Sequence, residues 1–224
     1  MSFTRLTFIT GFLVVLVLCA AGCTQPQNTD TCSADGSCTG VPTITGAQPG
    51  TVTSPSPATS SGDMDTWKKV RLETDKGNIV IALDPEMPIT AGNFETLTKE
   101  GYYDGVIFHR VIKGFMIQSG DPTGTGRGGP GYTIRDEFTS HNRNSRGAVA
   151  MANTGQPNSG GSQFFINLVD NSPLLSNTFD NNYPVFGTVI EGMDVVDTIG
   201  KVPTTGYPSD RPLENVTIIR AVMV

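Results

Sequence analysis

Apolar and polar residues alternate along the chain shortly after Trp67. Val70 and Leu72 are separated by Arg71, which is the period-2 pattern of a half-buried strand. An Asp-Lys-Gly sequence at residues 75–77 follows, and residues 79–83 then form a continuous apolar run. Two runs of strand-forming residues around a glycine-containing turn predict a β-hairpin.

The pattern changes to a helical period after Pro88. Ala91, Phe94 and Leu97 recur at three-residue spacing, and Gly101 marks the end of a predicted helix over residues 89–100. A second helical pattern covers residues 191–199. Further short strands are predicted at residues 106–118, 147–153, 162–169, 185–189 and 216–224. Many short strands with two helices predict a mainly β fold, a closed antiparallel β-barrel capped by the helices.

The first 22 residues have the features of a targeting segment. Arg5 precedes an almost wholly apolar stretch at residues 6–21, which is shorter than the roughly 20 residues of a bilayer span. Small residues then lead to Cys23, an arrangement that resembles a lipobox, although Ala20 stands where Leu is usual. The sequence therefore predicts a signal peptide over residues 1–22 and lipidation of Cys23. An ordinary signal peptide or an uncleaved anchor is the alternative.

Residues 23–65 are rich in Thr, Ser, Pro and Gly and contain no apolar face, which predicts a solvated, flexible tether before a domain at residues 66–224. Cys32 and Cys38 lie in this tether. In an oxidising compartment they could form a small disulfide loop, and two free thiols are the alternative.

Charge and motif content exclude several functions. The net charge is −6 and no Lys/Arg run occurs, so we expect no nucleic-acid partner. With only two histidines, no metal site is predicted, and His109 is expected to be a structural residue with satisfied hydrogen bonds. Gly124, Gly126 and Gly129 match G-x-G-x-x-G, but Pro130 and Gly131 follow instead of a helix, which predicts a loop.

The chain contains five long, ordered stretches, NFETLTKEGYYDG, FHRVIKGFMIQSGDPTGTGRGGPGY, GAVAMAN, SGGSQFFINL and PVFGTVIEGMDVVD. Together they resemble the cyclophilin family, and with the flanking strands the resemblance covers residues 66–224. It implies an eight-stranded antiparallel β-barrel closed by two helices, and isomerisation of Xaa-Pro peptide bonds without a cofactor.

The same resemblance assigns site residues. Arg110 matches the donor that stabilises the twisted amide. In the strand around Gln163, alternation places Gln163 and Phe165 on one face, with Phe164 and Ile166 in the barrel core. The remaining matches are a proline pocket of Phe115, Met116, Phe165 and Leu174, substrate-backbone contacts at Gln118, Ala152 and Asn153, and Tyr183 where many relatives carry His.

The chain departs from the family pattern at two places. Ser119 replaces a glycine, which we expect to be a mild change. The family often has Trp after the strand of Phe165, and none is present here. Pro173 is the expected occupant of that position and Phe179 the alternative, while Trp67 is expected to pack at the start of the domain. The resemblance implies that cyclosporin binds across the substrate groove. We therefore expect it to bind less tightly here than in relatives that carry the Trp.

These features predict a peptidyl-prolyl isomerase that assists folding of exported proteins. Its expected partners are proline-containing segments of those proteins and the membrane to which Cys23 anchors it. We expect an extracytoplasmic, monomeric protein. A binding module for proline-containing segments, with incidental turnover, is the alternative function, and a surface adhesin is a third. Arg110 favours the enzyme, since binding alone does not require it.

Overall fold

The computed structural model describes residues 64–173 and 178–224. The predicted signal peptide and residues 23–63 of the predicted tether, with Cys23, Cys32 and Cys38, lie outside the described residues, and so does Leu174. Among the residues described, no helix has the length and apolar character that crossing a membrane requires.

The predicted N-terminal hairpin is present. Strand β1 (Lys69–Thr74) pairs antiparallel with β2 (Gly77–Leu83), and Thr74 lies opposite Gly77 at the turn. The hydroxyl of Thr74 donates to the Gly77 carbonyl at 2.7 Å and accepts from the Lys76 amide at 3.1 Å, which fixes the turn. Val70 and Leu72 point into the core, as their alternation with polar residues predicts.

A short 3₁₀ turn at Met64–Thr66 precedes the hairpin, and six more strands and three α-helices follow it. Both predicted helices are present. A third helix was not predicted, because five residues are too few to show a helical period. In chain order the elements are α1 (Thr90–Lys99), β3 (Arg110–Ile112), β4 (Met116–Ser119), β5 (Ala148–Met151), β6 (Phe164–Asn167), α2 (Thr178–Asn182), β7 (Val185–Glu191), α3 (Met193–Ile199) and β8 (Ile218–Met223).

The eight strands form one antiparallel sheet in the order β3-β4-β6-β5-β7-β2-β1-β8. This sheet curls through 225° into an open half-barrel, so the prediction of a closed barrel was wrong. The chain segments that precede the edge strands β3 and β8 meet at an isolated antiparallel bridge between Ile107 and Thr217. The Phe108 amide also donates to the Val216 carbonyl at 2.9 Å. A continuous ladder does not form, because the paired segment lies before β3 and reaches only Ile218, the first residue of β8.

The concave side of the sheet holds an aromatic core. Phe94 of α1 packs edge to face on Phe164 of β6, with ring centroids 5.2 Å apart, and also contacts Tyr103 and Phe186. All four rings are fully buried. Ile166 belongs to the same core, whereas Phe165 packs in a separate cluster on the other face of the sheet. The predicted division of β6 into two faces is thus confirmed.

Candidate active site

The hairpin of β3 and β4 presents polar and apolar side chains on the outer face of the sheet. Arg110 lies directly opposite Gln118, and Ile112 lies opposite Met116. Val111 and Ile117, which alternate with these residues, are buried in the core. Residues opposite each other in an antiparallel pair share a face, so the guanidinium, the amide and the thioether project from one surface.

Phe165 extends this surface on the adjoining strand. It lies opposite Gln118 in the β4–β6 pair and opposite Ala150 in the β5–β6 pair. Met116, Ala150, Phe165 and Phe179 form a second hydrophobic cluster, separate from the core. An apolar cluster on the outer face of a half-barrel is available for a ligand rather than for packing another layer of the domain.

A cavity of about 150 Å³ opens over this cluster. It brings together eight of the residues that sequence analysis assigned to the site, and adds Phe179. Gln163 lies outside the cavity, in a neighbouring groove that shares Gln118, Ala152 and Asn153 with it. The lining residues are Arg110, Phe115, Met116, Gln118, Ala152, Asn153, Phe165, Phe179 and Tyr183.

Phe179 forms the wall that sequence analysis gave to Pro173. Its ring centroid lies 5.7 Å from Phe115, 5.8 Å from Phe165 and 4.6 Å from Tyr183. Pro173 is exposed and does not line the cavity, so the expectation for Pro173 was wrong and the alternative, Phe179, fits. The reason is that α2 turns the chain back toward Phe165, which no sequence pattern indicated.

Three polar groups beside the cavity have fixed orientations. The Gly128 carbonyl can only accept, so the Gln163 Nε2 faces it at 2.9 Å. The Gln163 Oε1 then accepts from the Gln118 Nε2 at 3.0 Å. This leaves the Gln118 Oε1 as an acceptor at the cavity with no partner among the described residues, held in place by hydrogen bonds that end on the Gly128 backbone.

Asn153 offers the groove a backbone donor and acceptor. Its side chain is occupied, since Nδ2 donates to the Asn182 carbonyl at 2.7 Å and Oδ1 accepts from the Gly155 amide at 3.0 Å. Its own backbone N–H and carbonyl have no partner in the ranges that the structure covers. An extended peptide could pair with both groups in the manner of an added strand.

The guanidinium of Arg110 makes no hydrogen bond to the residues that the structure describes. The Asp210 carboxylate lies 3.8 Å from its Nε, which is longer than a hydrogen bond. A cation with uncommitted donors thus stands at the edge of an aromatic cavity.

The family model described as cyclophilin-type peptidyl-prolyl cis-trans isomerase/CLD matches residues 69–223. The chain belongs to the cyclophilin family.

Relatives and solved structures agree with this assignment. The isomerase ppi1 of Schizosaccharomyces pombe is 49% identical over 158 residues, covering 68% of this chain and 97% of the relative. An isomerase of Acinetobacter baylyi is 47% identical over 140 residues, 62% of this chain and 74% of the relative. The crystal structure of a Cryptosporidium parvum cyclophilin matches with TM-score 0.64 and 36% identity, over 70% of this chain and 98% of that one. A second structure of that protein was determined in the presence of the dipeptide Ala-Pro.

The protein is therefore a cofactor-independent peptidyl-prolyl cis-trans isomerase of the cyclophilin type. Within residues 64–173 and 178–224, no cluster of three or more His, Cys, Asp or Glu side chains could hold a metal ion.

The glycine-rich loop of this cyclophilin wraps around the fully buried Asp121. One carboxylate oxygen accepts from the Gly126 amide at 2.7 Å and from the amides of residues 125, 127 and 128, while the other accepts from Thr123. Burial opposes ionisation, but the Thr123 hydroxyl and these amides outweigh it and hold the pKa of Asp121 well below its usual range. A Cβ at Gly128 would come within 2.0 Å of the Asp121 carboxylate, so glycine is required there. The glycines of the G-x-G-x-x-G match lie in this loop, as predicted.

Ser119, which stands where the family pattern has glycine, is buried and donates to the Ile107 carbonyl at 3.0 Å. The replacement of glycine is therefore accommodated by a hydrogen bond.

His109 is 6% exposed, and neither ring nitrogen has a hydrogen-bond partner in the described part of the chain. The prediction of satisfied hydrogen bonds was wrong for His109. Burial lowers the pKa of His109, and the Arg110 and Arg211 charges act in the same direction against the opposing charge of Asp121.

Proposed function

We propose that the cavity binds the proline ring of a Xaa-Pro segment and that Arg110 stabilises the amide as it twists. The uncommitted guanidinium of Arg110 beside the aromatic cavity carries this proposal. Phe115, Met116 and Phe165 supply apolar contacts for the ring, with Phe179 as the remaining wall. The ring is held while the carbonyl side of the bond turns.

The chemistry requires no nucleophile. An amide resists rotation because the nitrogen lone pair is delocalised into the carbonyl, with a barrier of about 18–20 kcal/mol. Rotation at an Xaa-Pro bond takes roughly 10–100 s without a catalyst. In the twisted state the lone pair is localised on nitrogen, where a donor from Arg110 stabilises it more than in either planar state. Stronger binding of the twisted state than of the ground states is what accelerates the reaction.

The substrate backbone is held by groups on both sides of the ring. The free backbone N–H and carbonyl of Asn153 pair with the extended peptide, and the free Oε1 of Gln118 accepts from a substrate amide or from Arg110. Ala152 and Tyr183 complete the cavity. These contacts fix the peptide on one side of the rotating bond, which lets the other side turn.

The test is Arg110→Ala with an Xaa-Pro peptide in an exchange assay. We expect kcat/KM to fall about 10²-fold, roughly 3 kcal/mol of transition-state stabilisation, with a much smaller change in peptide affinity. Arg143→Ala is the matched control, because Arg143 also lies in a long ion pair, 3.7 Å from Asp170, but does not line the cavity. An unaltered rate in Arg110→Ala would remove Arg110 from the mechanism.

We also propose that this cyclophilin is exported, anchored to a membrane by lipid on Cys23, and acts as a monomer on proline-containing segments of exported proteins. Arg5, the apolar residues 6–21 and the small residues before Cys23 support export and lipidation. Residues 24–65 provide the reach to hold the isomerase away from the membrane surface. A diacyl anchor supplies the two chains that stable attachment needs.

Fractionation of cells expressing the full chain tests the anchor. Cys23→Ser should move the protein from the membrane to the soluble fraction or leave the leader uncleaved. Cys19→Ser, within the same apolar segment, should leave both processing and partitioning unchanged. Identical membrane partitioning of Cys23→Ser and the wild type would contradict lipidation.

The oxidation state of the tether tests the compartment independently. If the chain is exported to an oxidising compartment, Cys32 and Cys38 should resist alkylation until a reductant is added. Full alkylation of both thiols in freshly isolated, non-reduced protein would contradict the disulfide.

A further inference from the structure

A carboxylate lies beside the guanidinium of Arg110. The Oδ2 of Asp210 is 3.8 Å from the Nε of Arg110, and their side chains are 13% and 39% exposed. Neither side chain makes a hydrogen bond to any residue of the described ranges. The Asp210 side chain is thus a nearly buried charge for which Arg110 is the ion-pair partner.

The backbone holds Asp210 in a fixed position relative to the strand of Arg110. The Asp210 carbonyl accepts from the Val111 amide at 2.8 Å, and the Asp210 amide donates to the Gly206 carbonyl at 2.9 Å. The first of these bonds attaches the loop of residues 203–213 to β3, next to Arg110. Asp210 also has φ of 48°, a left-handed conformation that places its carboxylate differently from an extended residue.

The rest of this loop is internally braced. The Thr205 amide donates to the Arg211 carbonyl at 2.8 Å, and the Leu213 amide donates to the Pro203 carbonyl at 2.9 Å. The Arg211 guanidinium donates to the Gly124 carbonyl at 2.9 Å, which joins the loop to the one around Asp121. A carboxylate carried by such a loop is a fixed charge rather than a mobile one.

We propose that Asp210 is a positioning residue for the isomerase reaction, which holds the Arg110 guanidinium over the proline cavity without occupying its donors. At 3.8 Å the carboxylate attracts the cation but forms no hydrogen bond, so the N–H groups of Arg110 stay available to the twisting amide. Arginine has a long side chain with many rotamers, and more than a third of this one is exposed. Without the fixed charge it would spend part of its time turned away from the cavity.

The inference rests on the proposed role of Arg110, and a double-mutant cycle in the full-length chain separates the two. Asp210→Asn removes the charge and keeps the shape, and Asn tolerates a left-handed conformation as well as Asp does. We expect kcat/KM to fall roughly 3- to 10-fold, mainly in kcat. This fold-change corresponds to the cost of ordering one side chain with many rotamers, here that of Arg110. In the Arg110→Ala background, Asp210→Asn should have no further effect.

Asp170→Asn is the matched control, since Asp170 lies 3.7 Å from Arg143 on the surface and does not line the cavity. It should leave kcat and KM unchanged. An equal loss from Asp210→Asn in both backgrounds would show a general structural effect and overturn the positioning role. So would an unchanged or raised kcat in Asp210→Asn, provided that Arg110→Ala itself is impaired. If Arg110→Ala is not impaired, the proposed role of Arg110 fails instead, and the positioning role falls with it.

Discussion

The rings of Phe165 and Phe179 meet edge to face, with centroids 5.8 Å apart and planes inclined at 60°. Phe165 comes from β6 and Phe179 from α2, so this contact joins the sheet to the short helix that follows it. Such pairs are favourable beyond the area they bury. The contact makes Phe179 part of the cavity wall and explains how a chain without Trp in this region completes the cavity.

Truncation of Phe179 should weaken substrate binding. Loss of about 60–100 Å² of apolar contact at roughly 25 cal/mol per Å² corresponds to about 1.5–2.5 kcal/mol, or roughly 10- to 70-fold in affinity. We expect Phe179→Ala to raise KM within this range for an Xaa-Pro peptide. Pro173→Ala is the control and should behave like the wild type, because Pro173 is exposed and away from the cavity. The reverse result, with only Pro173→Ala impaired, would place the wall at Pro173.

Cyclosporin affinity should respond to the same residue. Phe179 offers an aromatic ring but no N–H donor, so we expect weaker inhibition than in cyclophilins that carry Trp in this region. Phe179→Trp should tighten inhibition by about 2- to 13-fold, the range for one added hydrogen bond of about 0.5–1.5 kcal/mol. Inhibition titrations of the wild type, Phe179→Trp and Pro173→Trp measure this. A gain in Pro173→Trp alone would argue against the assignment of the wall to Phe179.

Local patterns predicted most of the sheet and the division of β6 into two faces. Alternation is a property of consecutive residues, so Phe164 could be assigned to the core and Phe165 to the outer face without knowing their partners. Phe179 was harder to place, because its position depends on α2 and on a contact with a strand more than ten residues earlier in the chain.

Two further features depend on long-range geometry that no local pattern carries. Closure of the barrel is decided by whether residues near Ile107 and Thr217 pair as strands. In the part of the chain described they pair through an isolated bridge and a few backbone hydrogen bonds, without a continuous ladder. The pairing of Asp210 with Arg110 likewise joins residues 100 positions apart in the numbering. The resemblance to cyclophilins located Arg110 but did not point to the carboxylate beside it.

The loop around Asp121 should depend on the charge of that side chain. Asp121→Asn replaces a carboxylate that accepts several backbone amides, and we expect the free energy of unfolding to fall by about 2–3 kcal/mol. The native pKa of Asp121 is depressed below its unfolded value of about 3.9. Its contribution to the free energy of unfolding is therefore fully present above that pH and is lost as pH falls further. The difference between wild type and variant should therefore be constant from about pH 5 to 7 and shrink below about pH 4.

Urea denaturation at several pH values measures this difference. Asp170→Asn serves as the control, since Asp170 is a surface carboxylate that accepts one amide, from Ser172. A difference for Asp121→Asn that stays constant down to about pH 2 would contradict the depressed pKa.

Burial of His109, whose ring nitrogens have no hydrogen-bond partner in the part of the chain described, should make stability fall as the solution becomes mildly acidic. Burial lowers its native pKa below the unfolded value of about 6.5. Between those two values the unfolded chain binds more protons than the native protein. The free energy of unfolding therefore decreases as pH falls from about 7, with a limiting slope of about 1.4 kcal/mol per pH unit from this residue.

His109→Phe should remove that contribution, because Phe keeps a planar ring and cannot be protonated. Phe is larger, so its absolute stability at pH 7 can differ in either direction, and the informative quantity is the pH dependence of the difference from wild type. His141, which lies 2.9 Å from Asp84, is the same in both proteins and cancels in that difference. We expect the variant to gain stability relative to wild type as pH falls from about 7 to 5, measured by urea denaturation. Parallel curves over this range would mean that His109 has the same pKa in the native and unfolded states, which is incompatible with a buried ring whose two nitrogens lack partners.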